Sequence, residues 1–252
     1  MYTYNYETEF IDIISSHLLK GRDKTDNNSV YKYSKNIYVP RVNSVMDLTI
    51  NTPGIPNWAN YLGFRHKSYT KTLQEAANIG TAVHSNISSY ILENKDMNNT
   101  QQEIVNCYNS FKMWWDNLNK NNTIEVIGAE KTIISPYFGG TYDLLLKVNG
   151  RVRLIDFKTS NHIHFRYFIQ LAAYRWLIRF AYNYDVDSLT ILRLDKYDYN
   201  FEELTADMHC LEDKILIENC SNTFFSLLSS YFQLKKVKES YDSFYNRRKN
   251  DI

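Results

Sequence analysis

The sequence predicts an α/β fold, with helices and strands alternating in the middle of the chain and additional helices towards both ends. Apolar segments of strand length cover about 124–134, 139–148 and 151–158. Asn149-Gly150 lies between the last two and is the strongest short signal for a β-hairpin. An aromatic-rich helix over 163–182 and a strand over Ser188–Leu194 complete the order helix, three strands, helix, strand.

The N-terminal region is predicted to consist of short elements separated by turns. Apolar residues at helical spacing cover 5–19, and the polar stretch from Gly21 to Asn36 is expected to be a mobile loop. Ile37-Tyr-Val39 has the composition of a short strand. Pro40 opens a helical turn that continues through Val45 and Leu48.

Two longer helices are predicted before the first strand of the sheet. Thr70 to Asn94 has helical apolar periodicity, and its residues expected to face inward are Leu73, Ala76, Ala77, Val83, Ile87 and Ile91. Thr100-Gln-Gln-Glu103 is a capping box, which predicts the start of a second helix that ends near Lys120.

The C-terminal region is predicted to contain long elements, because all eight glycines and all four prolines lie within residues 1–150. From Thr205 onward the pattern is helical, and the polar residues Asn219–Asn222 suggest a break into two helices. We therefore expect a single domain. Its N-terminal extension, core and C-terminal helices would cover residues 1–69, 70–204 and 205–252.

The charge distribution is uneven although the formal net charge is only +1. One acid, Asp156, lies among the basic residues of 151–180, which are Arg151, Arg153, Lys158, Arg166, Arg175 and Arg179. A second basic group extends from Lys235 to Lys249 in the tail. Such segments fit a phosphate backbone, although solvated helix faces explain the tail equally well. The 21 Tyr and 13 Phe could pack a core or stack on bases.

Cysteine usage and the N-terminus point to a reducing compartment. Cys107, Cys210 and Cys220 lie far apart and match no zinc-site spacing, so free thiols are expected. The first residues lack a secretory signal pattern, and no apolar stretch approaches the length of a membrane span. We expect an intracellular, cytoplasmic protein with no membrane association, in the host cytoplasm if the chain is viral.

Asp156-Phe-Lys158 places a carboxylate and an ammonium side by side, because residues i and i+2 of a strand share a face. The hairpin at Asn149-Gly150 could set Asp143 opposite Asp156. Facing carboxylates repel unless a proton or a cation lies between them. A divalent metal such as Mg²⁺ or Mn²⁺ with an attacking water explains the set, which makes the chain a nuclease candidate. The simpler alternatives are an ion pair at the strand end and a loop cap by Asp143.

Four further residues could belong to the same site. Glu130 could complete an acidic trio or pair with a basic neighbour at the surface. His84 could be a structural residue or a neutral imidazole ligand that also favours Mn²⁺. Gln170 and Tyr174 share a helix face and could hydrogen-bond to phosphate or a base, although Tyr174 could equally be a core residue.

Together these residues resemble the motif set of RecB-type nucleases of the PD-(D/E)XK superfamily. The motifs occur in family order as Gly80-xxx-His84, Glu130, Gly140-xx-Asp143, Asp156-x-Lys158 and Gln170-xxx-Tyr174. The segment Val39–Val45 and Trp58 also resemble the N-terminal region of phage and mitochondrial-type exonucleases of this group. The resemblance implies a mixed central sheet flanked by helices, which is a restriction-endonuclease-like core.

The resemblance also implies roles for these residues. The metal ligands would be His84, Asp143, Asp156 and the Phe157 carbonyl, with Lys158 as the catalytic lysine and Glu130 as an additional acid. Gln170 and Tyr174 would lie near the substrate. The cysteine quartet that holds an iron–sulfur cluster in some relatives cannot be built from three cysteines, so no cluster is expected. The chain also lacks the phosphate-binding loop of a fused helicase motor.

We therefore expect a metal-dependent nuclease acting on DNA, as an exonuclease on single strands or ends in replication, recombination or repair. The arginines of 151–180, among them Arg153 and Arg166, would guide the strand. The alternatives are a catalytically inactive DNA-binding or assembly subunit with the same fold, and a site-specific endonuclease. A helicase or recombinase partner and the oligomeric state remain open.

Overall fold

A computed structural model contains a mixed five-stranded sheet with helices on both faces, and it describes residues 30–35, 37–50 and 54–250. The strands within these ranges are β1 Val30–Ser34, β2 Ile37–Pro40, β3 Ile124–Ile134, β4 Gly139–Val148, β5 Arg151–Lys158, β6 Ser188–Leu194 and β7 Phe201–Asp207. The helices are α1 Val42–Thr49, α2 Gly54–Phe64, α3 Tyr69–Glu93, α4 Gln102–Asn121, α5 Arg166–Tyr182 and α6 Leu211–Asn250. No helix of the described residues is long and apolar enough to cross a membrane.

The sheet has the order β3-β4-β5-β6-β7, and only β5 and β6 run parallel. A parallel pair needs a crossover connection, which α5 provides. The four predicted strands and the predicted hairpin are confirmed. Val148 pairs with Arg151, and Asn149 and Gly150 between them have φ values of 51° and 86°, as a tight two-residue hairpin turn requires.

Two apolar cores cover the two faces of the sheet. On one face α1, α5 and α6 pack against it, with Met46, Leu177 and Phe224 among the buried residues. On the other face α3 and α4 contribute a second cluster that includes Ile87 and Trp114. Successive residues of a strand point to opposite faces of the sheet. Because both faces of β4 and β5 are covered by helices, these two strands are apolar along almost their whole length.

The N-terminal predictions were partly correct. Strand β2 and helix α1 are confirmed, but Val30–Ser34 of the predicted loop forms β1, which pairs antiparallel with β2. A polar strand can form here because the partner strand satisfies its backbone groups. The predicted helix over 5–19 and the rest of the loop, 21–29 and 36, lie outside the described residues.

Two predictions on the helices before the sheet were wrong. The inward set of α3 holds for Val83 and Ile87, but its first half extends past the core, so Leu73, Ala76 and Ala77 are exposed. The capping box does not form either: α4 has its N-cap at Gln101 and no side-chain cap hydrogen bond. Asn99 Oδ1 instead accepts a hydrogen bond from the Gln101 N–H at 2.8 Å, so a local turn competes with the box.

The C-terminal prediction was also wrong in two respects. Residues from Phe201 to Asp207 form an edge strand, β7, whose pairing with β6 outweighs a sequence that lacks strand alternation. Helix α6 is continuous through 219–222, because its Ser221 hydroxyl donates to the Ile217 carbonyl and Cys220 packs into the core. The expected division at residues 204 and 205 therefore falls inside β7.

Candidate active site

Three acidic residues lie side by side on three neighbouring strands. On β3 and β4, Ala129 pairs with Leu144 and Lys131 pairs with Tyr142, so Glu130 and Asp143 lie opposite each other between these two pairs. The register of β4 with β5, continued by one residue from the pair Leu144 and Ile155, sets Asp143 opposite Asp156. Directly opposite residues of adjacent strands lie close together, so the sheet itself assembles the acids into one row.

Glu130 has a backbone conformation that a non-glycine residue rarely adopts, with a φ of 49°. Such a conformation costs about 1–3 kcal/mol and persists only where the surrounding structure enforces it. The residue sits within β3, where this backbone redirects the side chain relative to a regular strand. The strain is therefore located at the acid whose role the sequence left open.

His84 of α3 completes a group of three side chains that could hold a metal ion. Its Nδ1 lies 3.3 Å from Glu130 Oε1 and 3.4 Å from Asp143 Oδ1, and the ligating atoms of the three residues all lie within 4.8 Å of one another. On the other side of the ring, Nε2 lies 3.1 Å from the Phe157 carbonyl oxygen. A proton on Nε2 would donate to that carbonyl and leave the Nδ1 lone pair facing the carboxylates.

The electrostatics of His84 follow from this geometry. Burial lowers the pKa of the imidazole, but the charges and hydrogen bonds of Asp143 and then of Glu130 outweigh it and raise that pKa to about 10. Burial raises the pKa of Asp143, but His84 opposes it most strongly and the net direction is downward. Asp143 also accepts a hydrogen bond from the Phe157 N–H at 2.7 Å. The two carboxylates thus favour a positive charge next to Nδ1, from a proton or from a cation.

Asp156 and Lys158 form a buried pair next to this group. Asp156 is 1% exposed, and its Oδ2 lies 2.5 Å from Lys158 Nζ. That contact has the distance of an ion pair but not hydrogen-bond geometry, and no described group donates to either carboxylate oxygen. Burial, with the charge of Asp143 in support, raises the pKa of Asp156 above its usual range despite the lysine.

A chain of side chains fixes the position of the lysine. Lys158 Nζ donates to Gln170 Oε1 at 3.2 Å, and the Gln170 amide donates to the Tyr174 hydroxyl at 3.0 Å. The Tyr167 ring lies under the same ammonium, 4.8 Å from ring centroid to Nζ. A Cβ at Gly140 would collide with the Tyr174 ring, so this glycine is needed for the close approach. Gln170 and Tyr174 thus lie behind Lys158.

The group opens into a cleft of about 850 Å³ between α3 and the end of β5. His84, Glu130, Phe157 and Lys158 line it. One wall is a face of α3 with small side chains, and two of its residues, Ala76 and Ala77, were predicted to face the core. Sequence reasoning missed several polar residues of the lining, among them Asn43, Ser160 and Lys196. No local motif marks them, because separate loops and elements bring them together.

Two predicted substrate contacts are not brought to the cleft. Arg153 of the central strand β5 pairs with Glu203 of β7 at 2.9 Å. Arg166, at the start of α5, pairs with Asp47 at 2.7 Å. Neither arginine lines the cleft, whereas all the predicted acids, His84 and Lys158 lie in or beside it.

The donor set fits a divalent cation. Among the described residues, the buried oxygens that accept no hydrogen bond include Glu130 Oε1 and both carboxylate oxygens of Asp156. Buried polar atoms are normally satisfied, so this concentration of unsatisfied carboxylate oxygens around one cleft is unusual. Carboxylate oxygens and an imidazole are ligands that hard and borderline divalent cations accept.

Three comparisons with known proteins bear on the family of this chain. No curated protein matches the chain. Among solved structures, a phage-related exonuclease from Haemophilus somnus 129PT is 14% identical, with a TM-score of 0.34 over 63% of this chain and 82% of that one. An alkaline exonuclease from Laribacter hongkongensis is 12% identical, with a TM-score of 0.32 over 81% of this chain and 94% of that one. The family model of the PD-(D/E)XK nuclease superfamily matches residues 93–219, half of the chain, and this protein therefore belongs to that superfamily.

Proposed function

We propose that this nuclease is a divalent-metal-dependent exonuclease that hydrolyses phosphodiester bonds of DNA, acting on single strands or free ends in replication, recombination or repair. The observation that carries the proposal is the row of Glu130, Asp143 and Asp156, with His84 and Lys158 beside it and a cleft above it. Membership of the superfamily supports the same reaction class.

His84, Asp143 and Glu130 are the residues best arranged to hold Mg²⁺ or Mn²⁺, with Asp156 and the Phe157 carbonyl at the border of the group. A bound cation would supply Lewis-acid charge at the scissile phosphate and a more acidic water. The contribution of the three side chains is to gather negative charge where a cation can neutralise it. An imidazole among the ligands suits Mn²⁺ better than Mg²⁺, which prefers oxygen ligands.

Lys158 is the group that we propose acts on the substrate directly. Its ammonium is held by Asp156 and Gln170 and borders the cleft, so it can donate to a non-bridging phosphate oxygen or orient a water. Preorganised donors of this kind stabilise the charge that grows in the transition state. We further propose that Gln170 and Tyr174 position this lysine, which differs from the direct substrate contact that the resemblance implies.

The cleft supports a single strand as the substrate. Its volume of about 850 Å³ lies in the range of clefts for small ligands, which suits a few nucleotides of one strand better than a duplex. Lys196 and the hydroxyls of Ser88 and Ser89 line it beyond His84, where they could contact phosphates on either side of the scissile one.

The test uses DNA labelled at one end, in linear and circular single-stranded forms, with Mg²⁺, Mn²⁺ or EDTA. We expect degradation of linear DNA with either cation, none in EDTA, and intact circles, because an exonuclease needs an end. Cut circles would identify an endonuclease. DNA binding without any cleavage under all conditions would identify an inactive binding subunit.

A further inference from the structure

The end of α6 leaves the body of the protein as an exposed helical arm, residues 233–249. Tyr231 and Phe232 are each 4% exposed and are the last residues of α6 in the core. Beyond them Val237 is 65% exposed and Tyr241 is 59% exposed. Residues 233–250 extend the helix by about 27 Å at 1.5 Å per residue.

The arm starts at the end of the sheet that carries the active site. Helix α6 begins near Asp207, at the end of β7 that pairs with Ser188, the first residue of β6. Strand β6 runs parallel to β5, so this is the end away from Lys158. The helix then runs back towards the end of the sheet that carries Lys158. The ring centroid of its Phe224 lies 4.8 Å from that of Phe138, which directly precedes β4 at that end. The arm therefore continues past that end.

One face of the arm combines aromatic and basic side chains. The intervals of three and four residues between Lys238, Tyr241, Phe244, Tyr245 and Arg248 place them on one side of the helix. Phe244 and Tyr245 are 51% and 52% exposed. The rings of Tyr241 and Tyr245 stack with centroids 6.1 Å apart, and the Arg248 guanidinium lies 5.6 Å from the Phe244 centroid.

The positive charge of the arm favours a negatively charged partner over a second copy of the arm. Residues 233–249 contain six basic side chains and two acidic ones, a net charge of +4, whereas the whole chain has a formal charge of +1. An apolar stripe at this spacing also suits a coiled coil with a second copy. Two arms of charge +4 would repel, however, and the stripe from Leu234 to Arg248 spans only about two heptads.

We propose that this arm is a binding surface for single-stranded DNA, which it holds outside the cleft of the proposed nuclease. Phosphates are attracted to Lys238, Arg248 and Lys249, and bases stack on the exposed rings. Exposed aromatic side chains with basic neighbours bind single strands with little sequence preference. The choice of DNA as the ligand rests on the proposed function. The binding measurement itself does not require that the protein cleaves DNA.

The test measures fluorescence anisotropy of labelled single-stranded DNA in EDTA, where no cleavage interferes. The triple variant Tyr241→Ala/Phe244→Ala/Tyr245→Ala should bind an oligonucleotide of about 40 nucleotides at least about tenfold more weakly, and one of about 6 nucleotides almost as well as wild type. Tyr184→Ala, an exposed tyrosine at the other end of the sheet, is the control and should change neither.

A charge-matched pair of variants tests the same surface without removing rings. Lys238→Glu should weaken binding and reduce the slope of log affinity against log salt by about 0.7 for each lost phosphate contact. Lys236→Glu makes the same charge change about 200° away on the helix and should have a smaller effect. Equal effects of the two lysine variants would show nonspecific attraction and overturn the proposal.

The remaining outcomes separate the arm from the active site. Unchanged DNA binding by the triple variant would overturn the proposal that the arm binds DNA. The proposal would also fail if light scattering showed that the wild type is a dimer and the triple variant a monomer that still binds DNA as well as the wild type does. A wild-type protein that binds through the arm but never cleaves DNA overturns the nuclease proposal alone. Failure of the wild type to bind the longer oligonucleotide would also overturn the proposal that the arm binds DNA.

Discussion

Two groups of charged side chains on the same sheet differ in how their charges are paired. On β5 to β7, the pairs Arg151–Asp207, Arg153–Glu203 and Arg193–Glu202 have contacts of 2.6, 2.9 and 2.9 Å and lie partly in solvent. At the site edge, three acids share one histidine and one lysine, and several of their oxygens accept no hydrogen bond.

We interpret the difference as one between a group that serves the fold and a group that serves the proposed chemistry. Partly exposed pairs gain little, but they also cost little, because water and the partner satisfy both charges. Buried carboxylates that face one another raise the free energy of the folded state unless a cation joins them. Buried, facing carboxylates in a cleft are the arrangement expected of a reactive site.

The largest expected effect comes from removing the lysine of the site group. Lys158→Ala should lower the cleavage rate by about 10²–10³-fold, because the variant loses a preorganised donor at the scissile phosphate. Asp156→Ala should have a comparable effect. Lys147→Ala removes an exposed lysine that pairs with Glu125 on the surface and is the matched control. Steady-state cleavage of end-labelled DNA measures all three, and DNA binding in EDTA should change little. Retained cleavage by Lys158→Ala or Asp156→Ala would refute the assigned roles.

A smaller loss of activity is expected when the support of the lysine is removed. Gln170→Leu deletes the acceptor of the Lys158 ammonium and should lower kcat by about 10–100-fold, since small displacements of a catalytic group are costly. Gln170→Glu keeps an acceptor at that position and should retain more activity. If the two variants had equal activity, the positioning role of this residue would be untenable.

Without a metal ion, removing an acid from the site group and removing an acid from the surface pairs should change the free energy of unfolding in opposite directions. Asp156→Asn removes one of two facing carboxylates and should raise the free energy of unfolding by about 0.5–2 kcal/mol at neutral pH. Glu203→Ala leaves the Trp114 indole N–H and Arg153 without their acceptor and should lower it by about 1–3 kcal/mol. Urea denaturation in EDTA measures both. A clear loss of stability in Asp156→Asn would contradict the comparison.

The sheet could be predicted because its strands carry strong local signals. The turn residues Asn149 and Gly150 fix the register of β4 with β5, and that register alone implies that Asp143 faces Asp156. Edge strand β7 lacks such a signal, because it is held by pairing with β6 and not by its own alternation. Ala76 and Ala77 of the cleft wall were mistaken for core residues, since small side chains at helical spacing suit a cleft as well as an interior.

The site was predictable only as a set of residue types. The family resemblance placed His84, the three acids, the Phe157 carbonyl and Lys158 in one site, but it did not show that this carbonyl contacts the imidazole. It also could not show that Gln170 contacts the lysine and that Lys196 borders the cleft, because those contacts depend on how α5 and the loop after β6 pack. Distances between elements are set by tertiary packing, which leaves no periodic trace in the chain.

Calorimetric titration with Mn²⁺ tests the central claim most directly, since it reads the cation site without any DNA. Wild type should bind Mn²⁺, and Asp143→Asn should bind it at least about tenfold more weakly. Asp187→Asn, which removes an acid paired with His209 at the far end of the sheet, should bind as wild type does. Equal binding by wild type and Asp143→Asn, or no binding by wild type, would contradict a metal site formed by the row of acids.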